Sequence, residues 1–205
     1  MIETKIIDNF YDCPSLIRKF ALEQEFYKRT GEYPGLRTKP INELDYDFFL
    51  NFVRKIISIY YDIDKVKGIE WDVKTLFQWA GKEHNTGWIH QDDINYYDVA
   101  GVVYLSPDAP KNCGTSLYIP TVQNLQKYNV PTDPFYSDNI IDMEFYKQEQ
   151  NIYNSQFKKI KQIENVYNRL VVYDCKQWHA QDGFFGTNKD NARLIQVFFA
   201  RIRTC

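Results

Sequence analysis

"GWIHQDDINYYDVAGVVYLSP", residues 87–107, sets a scarce imidazole beside a carboxylate, just ahead of an apolar run. The chain holds three histidines, and His90 stands two residues before Asp92. In a β-strand, residues i and i+2 share a face, so His90 and Asp92 project together while Gln91 and Asp93 point away. The apolar "VAGVVYLS" that follows reads as a strand deep in the core. An ionised carboxylate beside such a core is costly unless a partner or a cation compensates it. A metal bound by both side chains would do so, and so would a plain His–Asp hydrogen bond at a strand end. The pair alone does not choose between them.

The stretches on either side give the fold class. Upstream, "PSLIRKFALEQEFYKR" (14–29) repeats apolar residues every three or four positions and predicts an amphipathic helix. "LDYDFFLNFVRKIISIYYDI" (44–63) predicts a second, longer one, after a Gly- and Pro-punctuated turn in "TGEYPGLRTKP". From residue 70 the pattern changes to short β-branched and aromatic runs: "DVKTLFQWA", "GWIHQDD", "VAGVVYLSP", "TSLYIP", "FKKIKQI", "RLVVYD" and "RLIQVFFARI". The expectation is a single domain over 1–205, mainly β, with N-terminal helices over 1–69 supporting a jelly-roll or cupin-like core over 70–203. Residues 121–155, polar and with two prolines, read as a lid-like insertion.

A third ligand should come from a strand folded back beside the first. His179 stands at the end of the strand in "RLVVYDCKQWHAQDGFFG" (169–186), just before a loop. Two imidazoles and one carboxylate form the facial triad that suits non-haem Fe(II) and leaves one side open. Fourteen residues on, Arg193 shares a strand face with Ile195, Val197 and Phe199. A guanidinium on an apolar face calls for an anion, and a carboxylate matches it with two parallel hydrogen bonds. A hairpin between the two strands would return Arg193 to the neighbourhood of His179.

Composition removes several classes. With 25 basic against 27 acidic residues, the net charge of −2 leaves no excess to neutralise phosphates, which disfavours a nucleic-acid binder. The opening "MIETKIIDNF" mixes charges and lacks the apolar run of a signal peptide. No stretch approaches the ~20 apolar residues of a membrane span. Cys13, Cys113, Cys175 and Cys205 are scattered without a CxxC pair, as expected of reduced packing residues in a cytoplasmic protein.

In this order, His90-Gln91-Asp92, His179 and Arg193 resemble the His-x-Asp…His…Arg signature of Fe(II)/2-oxoglutarate-dependent dioxygenases. The strand pattern is similar to that family's double-stranded β-helix. "GVVYLSPDAPKNCGTSLYIP" (101–120) resembles the prolyl-4-hydroxylase-like branch, although Cys113-Gly114-Thr115 replaces its double glycine. "YPGLR" and "YNRLVVYDCKQWHA" are similar to oxygenase-like proteins of bacteria and phages. The resemblance implies that His90, Asp92 and His179 hold Fe(II) and that Arg193 pairs with the distal carboxylate of the cosubstrate 2-oxoglutarate. It implies that Tyr104 donates a hydroxyl to the same carboxylate. The implied reaction consumes dioxygen and hydroxylates a C–H bond of a peptide or small molecule, releasing succinate and CO2.

Four further residues are placed more loosely. Thr115 and Trp79 are candidates for the pocket wall, and His84 is expected in a loop. Asp93 is the reserve ligand, since a one-residue slip of register would exchange it with Asp92. Two other functions stay open. A Zn(II) cupin-type hydrolase uses the same ligands but gives Arg193 no role. A non-catalytic jelly-roll binding module would keep the fold without the chemistry.

Overall fold

The computed structural model describes residues 2–28, 33–62, 65, 68–84, 87–92, 95–123, 125 and 143–204. Helix α1 (Pro14–Glu23) starts on a proline, whose missing N–H costs nothing in a first turn. It ends earlier than its periodicity predicts, because the chain extends at Gln24 and Tyr27 then pairs with Arg37. The short helix α2 (Ile41–Leu44) leads into α3 (Tyr46–Ser58), which Asp45 caps by accepting the Phe48 N–H at 2.9 Å. Phe49, Phe52, Val53, Ile56 and Ile57 form the buried stripe of α3.

The strands build two antiparallel sheets. The larger contains β1 (Lys5–Ile7), β2 (Leu36–Arg37), β3 (Ile69–Ala80), β4 (Val99–Tyr104), β7 (Leu170–Asp174) and β9 (Arg193–Thr204), in the order β1-β7-β4-β9-β3-β2. The smaller contains β5 (Thr115–Pro120), β6 (Phe157–Ile163) and β8 (Trp178–Gln181), in the order β6-β5-β8. A fourth helix, α4 (Met143–Asn154), lies between β5 and β6 in sequence. The chain is thus mainly β with N-terminal helices, a jelly-roll sandwich as its sequence predicts.

Strand alternation sorts the core into layers. Leu194, Phe198 and Ala200 of β9 join Val99 and Val103 of β4 and Leu170 and Val172 of β7 in a cluster against the helices. Ile195 and Val197 join Ala100, Val102, Tyr104, Val171 and Tyr173 in a second cluster, which meets Leu117 of β5 and Ile163 of β6. Both faces of β4 and β7 are covered, which explains their unbroken apolar runs.

Three expectations are corrected here. Residues 87–92 do not form a strand; they carry a single bridge, between His90 and His179. Two of their backbone groups go to side chains instead: the Trp88 carbonyl faces the His90 ring at 2.8 Å, and the Ile89 N–H donates to Asn154 Oδ1 at 3.1 Å. Next, His179 does not end the strand that begins at Leu170. A turn at Asp174, whose carboxylate accepts the Lys176 N–H at 2.8 Å, sends the chain from the large sheet into the small one. Finally, β8 and β9 are not a hairpin, because β8 pairs with β5 while β9 pairs with β3 and β4.

Cys113 and Cys175 are buried and Cys13 is exposed, while Cys205 lies outside the described residues. About half of the expected lid also lies outside them; α4 makes up most of its described part. Among the described residues, no helix is long and apolar enough to cross a membrane.

Candidate metal centre and its cavity

Between the sheets lies a cavity of about 180 Å³ whose walls include His90, Asp92, His179, Arg193, Thr115 and Tyr173. The bridge between His90 and His179 comprises two backbone hydrogen bonds, at 3.0 and 2.9 Å, and sets the two rings 4.4 Å apart. The Asp92 N–H donates to the Cys175 carbonyl at 3.2 Å, which anchors the third member to the turn before β8.

Each imidazole is oriented by a local bond. His90 Nδ1 lies 2.8 Å from the Trp88 carbonyl and His179 Nδ1 lies 2.9 Å from the Gln177 carbonyl. A carbonyl only accepts, so each Nδ1 carries the proton and each Nε2 keeps its lone pair. Both Nε2 atoms face Asp92: His90 Nε2 is 3.9 Å from Oδ1, and His179 Nε2 is 3.4 Å from Oδ2. One donor atom from each residue lies within 4.8 Å of the other two.

This set fits a divalent cation. Ligand atoms at ~2.1 Å from one metal and at right angles stand about 3 Å apart, against 3.4 and 3.9 Å here between each Nε2 and the carboxylate. Asp92 Oδ2 is buried and, among the described residues, accepts no hydrogen bond, a cost that a cation would remove. Burial pushes the His179 pKa down to about 4, with His90 adding to the shift and the Asp92 charge opposing it. A neutral His179 is the form that binds metal. The His90 side chain is 42% exposed, against 6% for His179, so the centre opens on the His90 side.

Arg193 lies on the same cavity wall, at the start of β9, and is 4% exposed. Its Nε donates to the Cys113 carbonyl at 3.2 Å, and among the described residues no carboxylate pairs with it. Burial lowers its pKa, with Tyr104 first among the groups that oppose the shift. Gly114 shapes this end, since a Cβ there would sit 1.9 Å from the Ile163 carbonyl oxygen. One glycine of the usual pair is therefore required by the packing of β5 against β6.

Tyr104 stands behind the wall. It is fully buried, donates its hydroxyl to Thr115 Oγ1 at 2.8 Å, and lies under the Arg193 guanidinium, whose carbon is 5.5 Å from the ring centroid. Thr115 itself lines the cavity. Trp79 faces away from it, towards the buried loop residue His84, whose ring centroid is 6.0 Å distant. The Nδ1 of His84 accepts the Gly81 N–H at 3.1 Å, and His84 is not part of the cluster. Asp93 lies outside the described residues.

Several wall residues had no sequence signal of their own. Tyr173 packs its ring 4.5 Å from that of His179, and Tyr146 of α4 accepts a hydrogen bond from Trp88 Nε1 at 2.9 Å. Gln181, two residues after His179, could have been found from strand alternation.

The family whose model matches residues 3–183 is described as "Family of unknown function (DUF6445)". No curated protein matches the chain. Among solved structures, the chain is similar to a prolyl hydroxylase from Trichoplax adhaerens in complex with a hypoxia inducible factor oxygen degradation domain peptide fragment. The identity is 12%, with 96% of this chain and 82% of that one covered and a TM-score of 0.57. It is also similar to HygX from Streptomyces hygroscopicus with nickel and 2-oxoglutarate bound (10% identity, 96% and 82% covered, TM-score 0.56). A Pseudomonas putida prolyl-4-hydroxylase is a third (14% identity, 97% and 91% covered, TM-score 0.52). At these identities the likeness establishes the fold: the jelly roll of 2-oxoglutarate oxygenases.

Proposed function

The chain belongs to the family of unknown function DUF6445, and we propose that it is an Fe(II)- and 2-oxoglutarate-dependent dioxygenase that hydroxylates a C–H bond of its substrate. The observation that carries the proposal is the inward-facing set of His90 Nε2, His179 Nε2 and the Asp92 carboxylate, all within 4.8 Å. His90, Asp92 and His179 hold the iron. With 2-oxoglutarate and dioxygen, the iron supplies oxidation of the substrate while the keto acid is decarboxylated to succinate and CO2.

The protein's own part is to bind, orient and exclude water. Carbonyls at Trp88 and Gln177 fix the imidazole tautomers, so the ligands need no proton rearrangement when metal enters. Arg193 receives the distal carboxylate of 2-oxoglutarate, the anion that its buried charge lacks. Thr115 delivers the neighbouring hydroxyl, with Tyr104 holding it from behind. Tyr104 thus acts through Thr115. A Zn(II) hydrolase would leave the buried Arg193 unexplained, which favours the oxygenase.

The prolyl-4-hydroxylase-like branch and a cytoplasmic location are part of the proposal. The substrate is a protein side chain or a small molecule, admitted from the His90 side beneath Trp88 and Tyr146. The test is succinate formation by protein loaded anaerobically with Fe(II), given 2-oxoglutarate and then oxygen. Slow turnover without added substrate, lost in His179→Ala, is expected. Absence of both turnover and 2-oxoglutarate binding would instead favour a non-catalytic binding module.

A further inference from the structure

Strand β8 puts a second polar side chain into the cavity beyond its metal ligand. His179 and Gln181 are two residues apart and both line the wall, while Ala180 between them packs into a separate cluster with Trp88 and Ile89. Across the ladder, Gln181 is the direct partner of Thr115, as Leu117 is of His179. Direct cross-strand partners have Cβ atoms ~5 Å apart, and Gln181 is about 7 Å along the strand from His179. The glutamine therefore lies at the Thr115 end of the cavity.

Donors gather at that end. Thr115 Oγ1 already accepts the Tyr104 O–H, so its own hydroxyl proton is available to the cavity. Arg193 gives its Nε to the Cys113 carbonyl, two residues before Thr115, and its guanidinium also meets the Tyr104 hydroxyl, which leaves it donors to spare among its five N–H groups. Gln181 Nε2 is buried and, among the described residues, has no hydrogen-bond partner. The amide lies against the Gly87 backbone: a Cβ at that position would sit 2.3 Å from Nε2 and push the side chain aside. A buried amide nitrogen with an unmade donor is a costly feature to keep without an acceptor to meet it.

We infer that Gln181 is a third donor to the distal carboxylate of bound 2-oxoglutarate, beside Arg193 and Thr115, and so helps this site select a dicarboxylic keto acid. The inference rests on the oxygenase function proposed above. A carboxylate offers about four lone-pair sites and no donor, the complement of these three groups. The chelating keto-acid end belongs by the metal ligands, one strand-step pair away from Gln181.

The test compares two ligands on Mn(II)-loaded full-length protein by titration calorimetry without oxygen. 2-Oxoglutarate carries the distal carboxylate; 2-oxopentanoate has the same carbon chain and lacks it. Wild-type protein should prefer 2-oxoglutarate. Gln181→Leu should weaken 2-oxoglutarate about 10-fold, the loss of one hydrogen bond to a charged group, and leave 2-oxopentanoate within about 2-fold. Gln181→Glu, nearly isosteric but repulsive, should weaken 2-oxoglutarate further, and unchanged Mn(II) stoichiometry checks that both variants fold. Unchanged 2-oxoglutarate affinity in Gln181→Leu, or equal weakening of both ligands, would overturn the inference alone. Wild-type protein that binds Mn(II) but does not prefer the dicarboxylate would overturn the oxygenase proposal, and this inference with it.

Discussion

His90 and His179 are joined through their backbones: each donates its N–H to the other's carbonyl, at 3.0 and 2.9 Å. The two imidazoles are thereby held 4.4 Å apart by bonds that involve neither ring. The arrangement of the proposed ligands is thus a property of the fold rather than of a bound metal. His179→Ala should therefore keep the fold and lose tight metal binding. Circular dichroism should match wild type, while metal analysis after desalting should fall from one equivalent to near zero. Stoichiometric iron retained by the variant would remove His179 from the site.

Asp92 separates stability from function. Its Oδ2 is buried and has no hydrogen bond among the described residues, so the carboxylate is a burden to the metal-free protein. Asp92→Asn should leave the metal-free melting temperature unchanged or slightly higher. It should also abolish the rise that metal gives wild type, which for a ligand at 100 times its Kd is about 2.7 kcal/mol. Thermal melts with and without Mn(II) would check both halves, and a metal-dependent rise that survives in Asp92→Asn would refute the assignment.

How much of this was written in the sequence depends on how local each signal is. The buried runs of β4, β7 and β9 and the stripe of α3 were legible, because burial on both faces of a strand or one face of a helix leaves a periodic trace. The ligand trio and Arg193 could be named from residue type and strand alternation. That alternation places His90 and Asp92 together, although residues 87–92 form only one bridge and the Trp88 carbonyl turns to the His90 ring. Strands β1 and β2, three and two residues long, are too short for any period. Which sheet holds His179 was illegible, because it turns on one side-chain bond at Asp174. Alternation with His179 puts Gln181 on the same face, but its place beside Thr115 depended on a pairing between residues 66 positions apart in the chain.

Arg193 carries a charge that burial disfavours, since its pKa is already drawn below the ordinary value. Replacing a buried charge that lacks a partner with an apolar side chain of similar volume removes its desolvation cost. Arg193→Met should thus raise the stability of the ligand-free protein in urea denaturation. The same variant should weaken 2-oxoglutarate binding at least about 100-fold, in line with a truncated buried charge pair, while metal affinity stays unchanged. Unaltered cosubstrate affinity would take the anion role from Arg193.

The buried His179 makes the metal-free protein acid-sensitive over a defined window. Its pKa falls from the ordinary 6.5 to about 4 in the folded state, chiefly through burial. Between those values the unfolded chain holds the proton more often than the folded one, so stability rises with pH. The contribution is fully present above pH 6.5 and is lost as pH falls towards 4. At ~1.4 kcal/mol per pH unit, the loss across the window is roughly 3 kcal/mol. Urea denaturation of metal-free protein at pH 7, 5.5 and 4 should show this slope, and His179→Gln, which cannot titrate, should lack that portion of it. Equal slopes in the two proteins would mean that His179 is as easily protonated in the fold as in the open chain, and the ring would then have to sit in water.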